Sequence, residues 1–174
     1  MSCAAPLRVL ACSLALGCLG AHATPPDTPV RNPVKADSIL ILKKDHVMQL
    51  LADGKVIRTY KVALGQGGLE PKERQGDART PEGHYIIDAE YEHSAYHKAL
   101  HVSYPNPEDR KRAARLGAPP GGAIMIHGLP NGDGWIGAFH RRYDWTLGCI
   151  AVTDEEIDEV WKLVPVGTPV EIRP

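Results

Sequence analysis

The chain has 174 residues, a length typical of one domain that is large enough to bury a hydrophobic core. Its formal net charge is only −1 and charges of both signs are interspersed, so no basic block indicates a nucleic-acid partner. The 17 glycines, 15 prolines and single phenylalanine favour a loop-rich β or mixed fold over a helical bundle. We expect a monomer.

The N-terminal segment has the pattern of a secretory signal peptide. Arg8 precedes an apolar run at residues 9–19, and residues 21–23 read Ala-His-Ala, which fits a signal-peptidase site. The apolar run is too short for a membrane span, so residues 1–23 are predicted to be a cleaved signal. We therefore expect an exported protein, periplasmic or associated with the cell wall. A lipoprotein carrying lipid on Cys18 is the alternative.

Residues 24–35 are predicted to be a linker. Pro25, Pro26, Pro29 and Pro33 keep such a segment extended, and it has little apolar surface to bury. The globular domain is therefore predicted at residues 36–174.

Short runs of β-branched and aromatic residues, separated by turn signals, predict about eight strands in this domain. They lie at residues 38–43, 46–51, 55–64, 84–88, 99–103, 123–126, 150–152 and 168–172. A glycine-rich, charged loop is predicted at residues 65–79.

Two segments have helix signals. Residues 106–116 are highly charged, with Pro107 near the start and Gly117 just past the end. Residues 154–163 form the clearer helix, because acidic residues fill its first turn and apolar residues recur along one face. The sequence thus predicts a mainly β fold with one or two helices.

Residues 123–152 contain the candidate catalytic groups. An apolar run delivers His127, and a second apolar run follows Cys149, so each side chain lies at the end of a predicted strand. Rigid elements of this kind hold reacting groups while the intervening loop shapes a pocket. We expect Cys149 to be a nucleophile and His127 its base, and the two strands to be neighbours in the sheet.

Cysteine usage supports a reactive thiol. Cys3, Cys12 and Cys18 all lie in the predicted signal, so Cys149 would be the only cysteine of the exported protein. A solitary thiol in an oxidising compartment is either a buried small hydrophobe or kept for its reactivity. With His127 as its base, Cys149 is expected to react at a pH below about 8.5, the ordinary pKa of a cysteine thiol.

Acyl-transfer chemistry also needs hydrogen-bond donors for the oxyanion that develops. Gly148 precedes the predicted nucleophile and permits a sharp turn of the backbone. The backbone N–H groups of Leu147, Gly148 and Cys149 are therefore the candidate donors.

The motif Thr146-Leu147-Gly148-Cys149, together with His127-Gly128, resembles the YkuD-type L,D-transpeptidases. That family carries a His-Gly or His-Ser, a loop, and then Ser/Thr-His-Gly-Cys followed by an apolar residue and arginine. Leu147 stands where the family has histidine, and Ala151 where it has arginine. The resemblance implies a β-sandwich with a helix on one side, the dyad of Cys149 and His127, and a Gly128 carbonyl that orients the imidazole.

Several loop residues are candidate substrate contacts. His140 could bind substrate or partly replace the histidine missing at position 147, and Arg141 or Arg142 could bind a carboxylate in place of the arginine missing at 151. Trp145 and Thr146 are further candidates beside the nucleophile. Trp135 and Tyr143 could be pocket walls or could simply pack.

The resemblance implies a peptidoglycan stem peptide as acyl donor, a thioester on Cys149 and no cofactor. The acceptor is an amine of another stem or of a wall-linked protein. With water as acceptor, the same dyad would be an L,D-carboxypeptidase or an amidase that detaches a wall-linked protein. A zinc site of His127, His140 and Cys149 lacks the usual ligand spacing but stays open, as does a non-catalytic wall-binding module.

Overall fold

The computed structural model describes residue 1 and residues 34–174. The predicted signal beyond residue 1 and linker residues 24–33 lie outside the described residues. In the described part, no helix is long and apolar enough to cross a membrane. The strands there are β1 Ser38–Leu42, β2 Val47–Ala52, β3 Lys55–Lys61, β4 Gly83–Ser94, β5 His97–Val102, β6 Met125–His127, β7 Ile150–Ala151 and β8 Pro169–Arg173.

These strands form one sheet in the order β3-β2-β1-β8-β4-β5-β6-β7. Only the β1–β8 and β6–β7 pairs are parallel within the described chain. Just after β3, Ala63 exchanges two backbone hydrogen bonds with Ala151 of β7, at 3.0 and 2.9 Å. The sheet therefore curls until its two ends meet, and this end of the sheet holds the predicted dyad.

Helix α2 (Asp154–Leu163) closes the core beside β5 and β6. The side chain of Thr153 accepts the Glu156 N–H, and Glu156 in return accepts the Thr153 N–H, a capping box that fixes the helix start. The apolar stripe then turns inward, and the buried residues of α2 are Ile157, Val160 and Leu163. Helix α1 (Pro107–Arg115) begins with a second capping box, formed by Asn106 and Asp109. The predicted mainly β class of sandwich type, with one or two helices, is confirmed as a curled sheet with two α-helices.

Two elements differ from the prediction. Strand β4 runs to Ser94 instead of ending at residue 88, and it bends so that Gly83–Ile86 pairs with β8 while the rest pairs with β5. Its outer half is exposed on both faces, so the sequence there has no apolar alternation to mark a strand. The predicted loop after β6 contains a 3-10 segment, Gly134–Arg142, which is interrupted at Gly137.

Candidate active site

The parallel pairing of β6 with β7 brings the two predicted catalytic residues to one cavity. Ile126 lies opposite Ile150, and His127 lies opposite Ala151, which confirms that the two strands are neighbours. His127 and Cys149 both line a cavity of about 580 Å³. The predicted base and the predicted nucleophile therefore line one concave site, the arrangement that acyl transfer requires.

The orientation of His127 is fixed by its neighbour. The Nδ1 atom lies 2.7 Å from the carbonyl oxygen of Gly128, so Nδ1 carries the ring proton and its N–H donates a hydrogen bond to that carbonyl. Gly128 has no room for a side chain, since a Cβ there would lie 2.6 Å from Oδ1 of Asp154. The opposite ring nitrogen, Nε2, is left as an acceptor that can take a proton.

The thiol of Cys149 donates a hydrogen bond to the carbonyl oxygen of Ala123, 3.5 Å away, and not to the imidazole. Burial raises the pKa of the Cys149 thiol, although a backbone hydrogen bond from Met125 and the charge of Lys72 pull the pKa down. Burial also lowers the pKa of His127, against the effect of its bond to Gly128. Burial therefore favours a neutral thiol and a neutral imidazole, which argues against the expectation that Cys149 reacts at a pH below the ordinary thiol pKa.

A tight turn built on the Thr146 hydroxyl presents the thiol. This hydroxyl accepts the Gly148 N–H at 3.1 Å and donates to the Cys149 carbonyl at 2.8 Å. The Gly148 N–H, a predicted oxyanion donor, is therefore already bonded to the Thr146 hydroxyl. That hydroxyl both donates and accepts within the turn. Among the hydrogen bonds of the described residues, the N–H groups of Leu147 and Cys149 have no partner.

Gly148 is required by this turn. It has a φ of 126°, and a Cβ at this position would lie 2.6 Å from the carbonyl oxygen of Arg79. The loop that contributes Arg79 is anchored by Lys43, whose buried ammonium donates to Thr80 O at 3.0 Å and to Glu82 Oε1 at 2.8 Å. Lys43, just after β1, thus holds the loop that packs against the Thr146–Cys149 turn.

Aromatic side chains surround the imidazole. The ring of Tyr96 lies 4.5 Å from that of His127, and the ring of Trp145 lies 5.8 Å from it, nearly edge-on. Trp145 was predicted to be near the nucleophile, and it lines the cavity. Tyr96 was missed, because it lies in the turn between β4 and β5 and only the pairing of those strands with β6 brings it to the site.

His140 does not line the main cavity. It is 6 % exposed, and its Nδ1 accepts a hydrogen bond from the Trp145 indole N–H at 3.3 Å. Burial, assisted by the charge of Arg141, lowers the pKa of His140 to about 4. The residue lies behind Trp145, against a separate cavity of about 210 Å³. This position does not support the prediction of a direct substrate role or of a replacement for the missing histidine, which stays a prediction.

Neither predicted arginine reaches the cavity. Arg141 forms an ion pair with Glu156, the capping residue of α2. Arg142 lies over the ring of Phe139, with its guanidinium carbon 5.8 Å from the ring centroid. These contacts do not support the hypothesis that one of them binds a carboxylate in place of the missing arginine, which stays a prediction.

The two departures from the family motif have different surroundings. Leu147 is 74 % exposed and lines the cavity. Ala151 is fully buried between β6 and Ala63. An arginine at 151 would have to bury its charge at this place in the sheet.

The zinc hypothesis finds no support in the geometry. Across residues 34–174, no group of three or more His, Cys, Asp or Glu side chains is arranged to hold a metal ion. His140 is separated from the other two proposed ligands by the Trp145 ring, which lines both cavities.

Comparisons with known proteins agree with this geometry. The sequence model of YkuD, the L,D-transpeptidase catalytic domain, matches residues 36–172. The chain is 29% identical over 170 residues to the "Putative L,D-transpeptidase YafK" of Escherichia coli (strain K12), a match that covers 91% of this chain and 61% of YafK. The chain thus spans about three fifths of the length of that relative.

Two solved structures share the fold. The helical cell shape determining protein Pgp2 of Campylobacter jejuni matches with a TM-score of 0.59 and 24% identity, over 81% of this chain and 48% of that one. The L,D-transpeptidase of Xylanimonas cellulosilytica matches with a TM-score of 0.54 and 18% identity, over 80% and 61% of the two chains. At these identities the likeness concerns the fold alone.

Proposed function

The chain belongs to the YkuD family of L,D-transpeptidase catalytic domains, and we propose that it transfers acyl groups of peptidoglycan stem peptides through a thioester on Cys149. One observation carries the proposal. His127, with its Nδ1 held by the Gly128 carbonyl, and Cys149 line the same cavity from adjacent parallel strands. The donor bond joins the L-centre of a meso-diaminopimelate residue to the following D-alanine.

In the first half-reaction the sulfur of Cys149 attacks the carbonyl carbon of that bond while Nε2 of His127 takes the thiol proton. The negative charge that develops on the carbonyl oxygen is stabilised by the N–H groups of Leu147 and Cys149. Of the three candidate donors, these two have no other hydrogen-bond partner among the described residues. The carbon–nitrogen bond then breaks, and His127 returns its proton to the departing amine of D-alanine. The thioester remains.

In the second half-reaction an acceptor amine loses a proton to His127 and attacks the thioester carbonyl. The carbon–sulfur bond then breaks, and His127 returns a proton to the sulfur, which restores the thiol. Because burial favours a neutral thiol and a neutral imidazole, we place the proton transfer together with the attack in the first half-reaction. A neutral resting thiol also resists oxidation better than a thiolate would in an oxidising compartment.

Incubation of the purified protein with wall fragments, followed by mass analysis of the products, tests this function. Cross-linked products that lack one D-alanine support a transferase. Products formed only by addition of water support the L,D-carboxypeptidase, and release of a wall-linked protein by water supports the amidase. If wild type and Cys149→Ser give identical product masses, the proposal fails.

The setting of the reaction is also part of the proposal. The signal-peptide pattern at residues 1–23 supports export, after which a monomer would remodel the wall and thereby affect cell shape. N-terminal sequencing of exported material should begin after Ala23. An intact Met1 would contradict export, and lipid on Cys18 would make the protein a lipoprotein.

A further inference from the structure

A second cavity adjoins the catalytic one. Its volume is about 290 Å³, and it shares Gly122 and Leu147 with the larger cavity that contains Cys149. Small residues, including Gly76 and Gly121, form much of its wall. The N–H of Leu147, one of the two proposed oxyanion donors, belongs to a residue common to both cavities. A substrate carbonyl bound to this N–H would have one of its two substituents facing each cavity.

Lys72 lines this second cavity. Among residues 34–174, it is the one lysine or arginine that lines either of the two cavities. It is 4 % exposed, and its ammonium donates to Asp77 Oδ1 at 2.6 Å and to Arg74 O at 3.0 Å. An ammonium group has three N–H donors, so one remains for a ligand.

Lys72 forms an ion pair with Asp77 but is not the only donor to that carboxylate. The Asp77 carboxylate also accepts the backbone N–H groups of Glu73, Arg74 and Arg79, and these bonds help to hold its pKa at about 2. Three backbone donors therefore stabilise that carboxylate together with Lys72, which still has one N–H donor without a partner among the described residues. The charge of Lys72 also reaches the catalytic thiol, whose pKa it lowers.

The position of this cation is fixed before any ligand binds. The Lys72 carbonyl accepts a hydrogen bond from the Arg112 side chain at 3.1 Å, and the Gln75 N–H donates to Pro119 O at 2.8 Å across the cavity wall. A buried, oriented ammonium beside a small open space binds a carboxylate without first losing side-chain freedom.

We propose that this second cavity holds the leaving amino acid and that Lys72 binds its terminal carboxylate. The inference rests on the proposed function. A single D-alanine suits the smaller space, whereas the diaminopimelate side chain suits the larger, aromatic one. When the amide bond breaks, the amine leaves with the proton from His127, and the carboxylate stays paired with Lys72, which transfers no proton. Lys72 thus selects donors that end in a free carboxylate one residue beyond the cleaved bond.

Paired substrates separate this role from a structural one. The test uses a synthetic stem tetrapeptide that ends in D-alanine carboxylate and the same peptide ending in D-alanine carboxamide, with kcat/KM measured for each. Wild type should prefer the carboxylate by about 10- to 100-fold, the usual effect of a charge-assisted hydrogen bond. In Lys72→Met the ratio should fall to about 1, and in Lys72→Arg part of it should return. Arg142→Met, which removes a cation outside both cavities, should keep the wild-type ratio.

Each outcome of this experiment supports or overturns the carboxylate site or the proposed function. A wild-type ratio near 1, or an equal loss on both peptides in Lys72→Met, overturns the carboxylate site and leaves the proposed function standing. If wild type releases neither D-alanine from the first peptide nor D-alanine amide from the second, the proposed function fails instead. Should Lys72→Met be unfolded by circular dichroism, the wild-type ratio and the Lys72→Arg ratio still test the site.

Discussion

The indole N–H of Trp145 donates a hydrogen bond to Nδ1 of His140 across 3.3 Å, and the same indole meets the imidazole of His127 edge-on, with ring centroids 5.8 Å apart. His140, which is buried and does not line the main cavity, therefore positions Trp145, and Trp145 packs against the proposed base. This relationship accounts for a loop histidine next to the site without assigning it any proton transfer.

His140→Leu should lower kcat about tenfold, since Trp145 loses its acceptor and the packing around His127 loosens. Water entering there would raise the lowered pKa of His127 toward its ordinary value of 6.5. Because the base must be neutral, the acid limb of the rate profile should move to higher pH. His140→Asn, whose side-chain oxygen can still accept from the indole, should stay closer to wild type. Identical acid limbs in both variants and wild type would contradict this role.

Loss of either dyad residue should abolish or strongly reduce acylation. His127→Ala should cost about 10²- to 10⁴-fold in rate, the usual range for a positioned general base. Cys149→Ser should give no thioester, because a hydroxyl is far harder to ionise than a thiol in the same site. Mass spectrometry of the protein after exposure to an acylating β-lactam measures the adduct directly. A larger loss in His140→Asn than in His127→Ala would remove His127 from its role.

Alkylation by iodoacetamide should report a raised thiol pKa. Burial favours the neutral thiol of Cys149, so the labelling midpoint should lie above the value of about 8.5 for an ordinary cysteine. In His127→Ala the midpoint should move back toward that value, as water enters the space left by the ring. A cysteine-containing peptide is the reference. A wild-type midpoint below that of the peptide would show that thiolate and imidazolium form an ion pair at rest.

Arg141→Ala should affect stability and not substrate binding. The ion pair with Glu156 supports the capping residue of α2, and its loss should cost about 1 kcal/mol in the free energy of unfolding. Urea denaturation measures this cost. The KM for a stem peptide should stay within about twofold in Arg141→Ala and in Arg142→Ala. A tenfold rise in KM in either variant would support the hypothesis that the arginine binds a substrate carboxylate.

Lys43→Met should lower the free energy of unfolding by about 3–5 kcal/mol, because removal of one partner leaves Glu82 without its cation and the buried Thr80 carbonyl without a donor. The variant Lys43→Met/Glu82→Gln should recover part of this loss. Lys44→Met, at an exposed position next along the chain, is the matched control and should change stability little. Equal effects of Lys43→Met and Lys44→Met would contradict the anchoring role.

Local patterns in the sequence were sufficient for most of the strands, for both α-helices and for proposing the two residues of the dyad, but not for the outer half of β4 or the 3-10 segment. Alternating or continuous apolar runs mark β1, β2 and the strands on either side of the active-site loop, since burial of one face selects residues with the period of a strand. The capping pattern at Thr153 fixed the start of α2, because the first N–H groups of a helix need local acceptors. His127 and Cys149 follow from their residue types at strand ends.

Contacts between distant segments were decided only by tertiary structure. Tyr96 reaches His127 through strand pairing, Lys72 reaches the second cavity through a loop, and Arg141 is taken by Glu156. The Gly148 N–H, a candidate oxyanion donor by sequence, is used by Thr146. A hydrogen bond or ion pair engages whichever partner the fold places within about 3 Å, and sequence spacing does not encode that distance. The sequence therefore determined which chemical groups are present, and the fold determined which of them remain free to act.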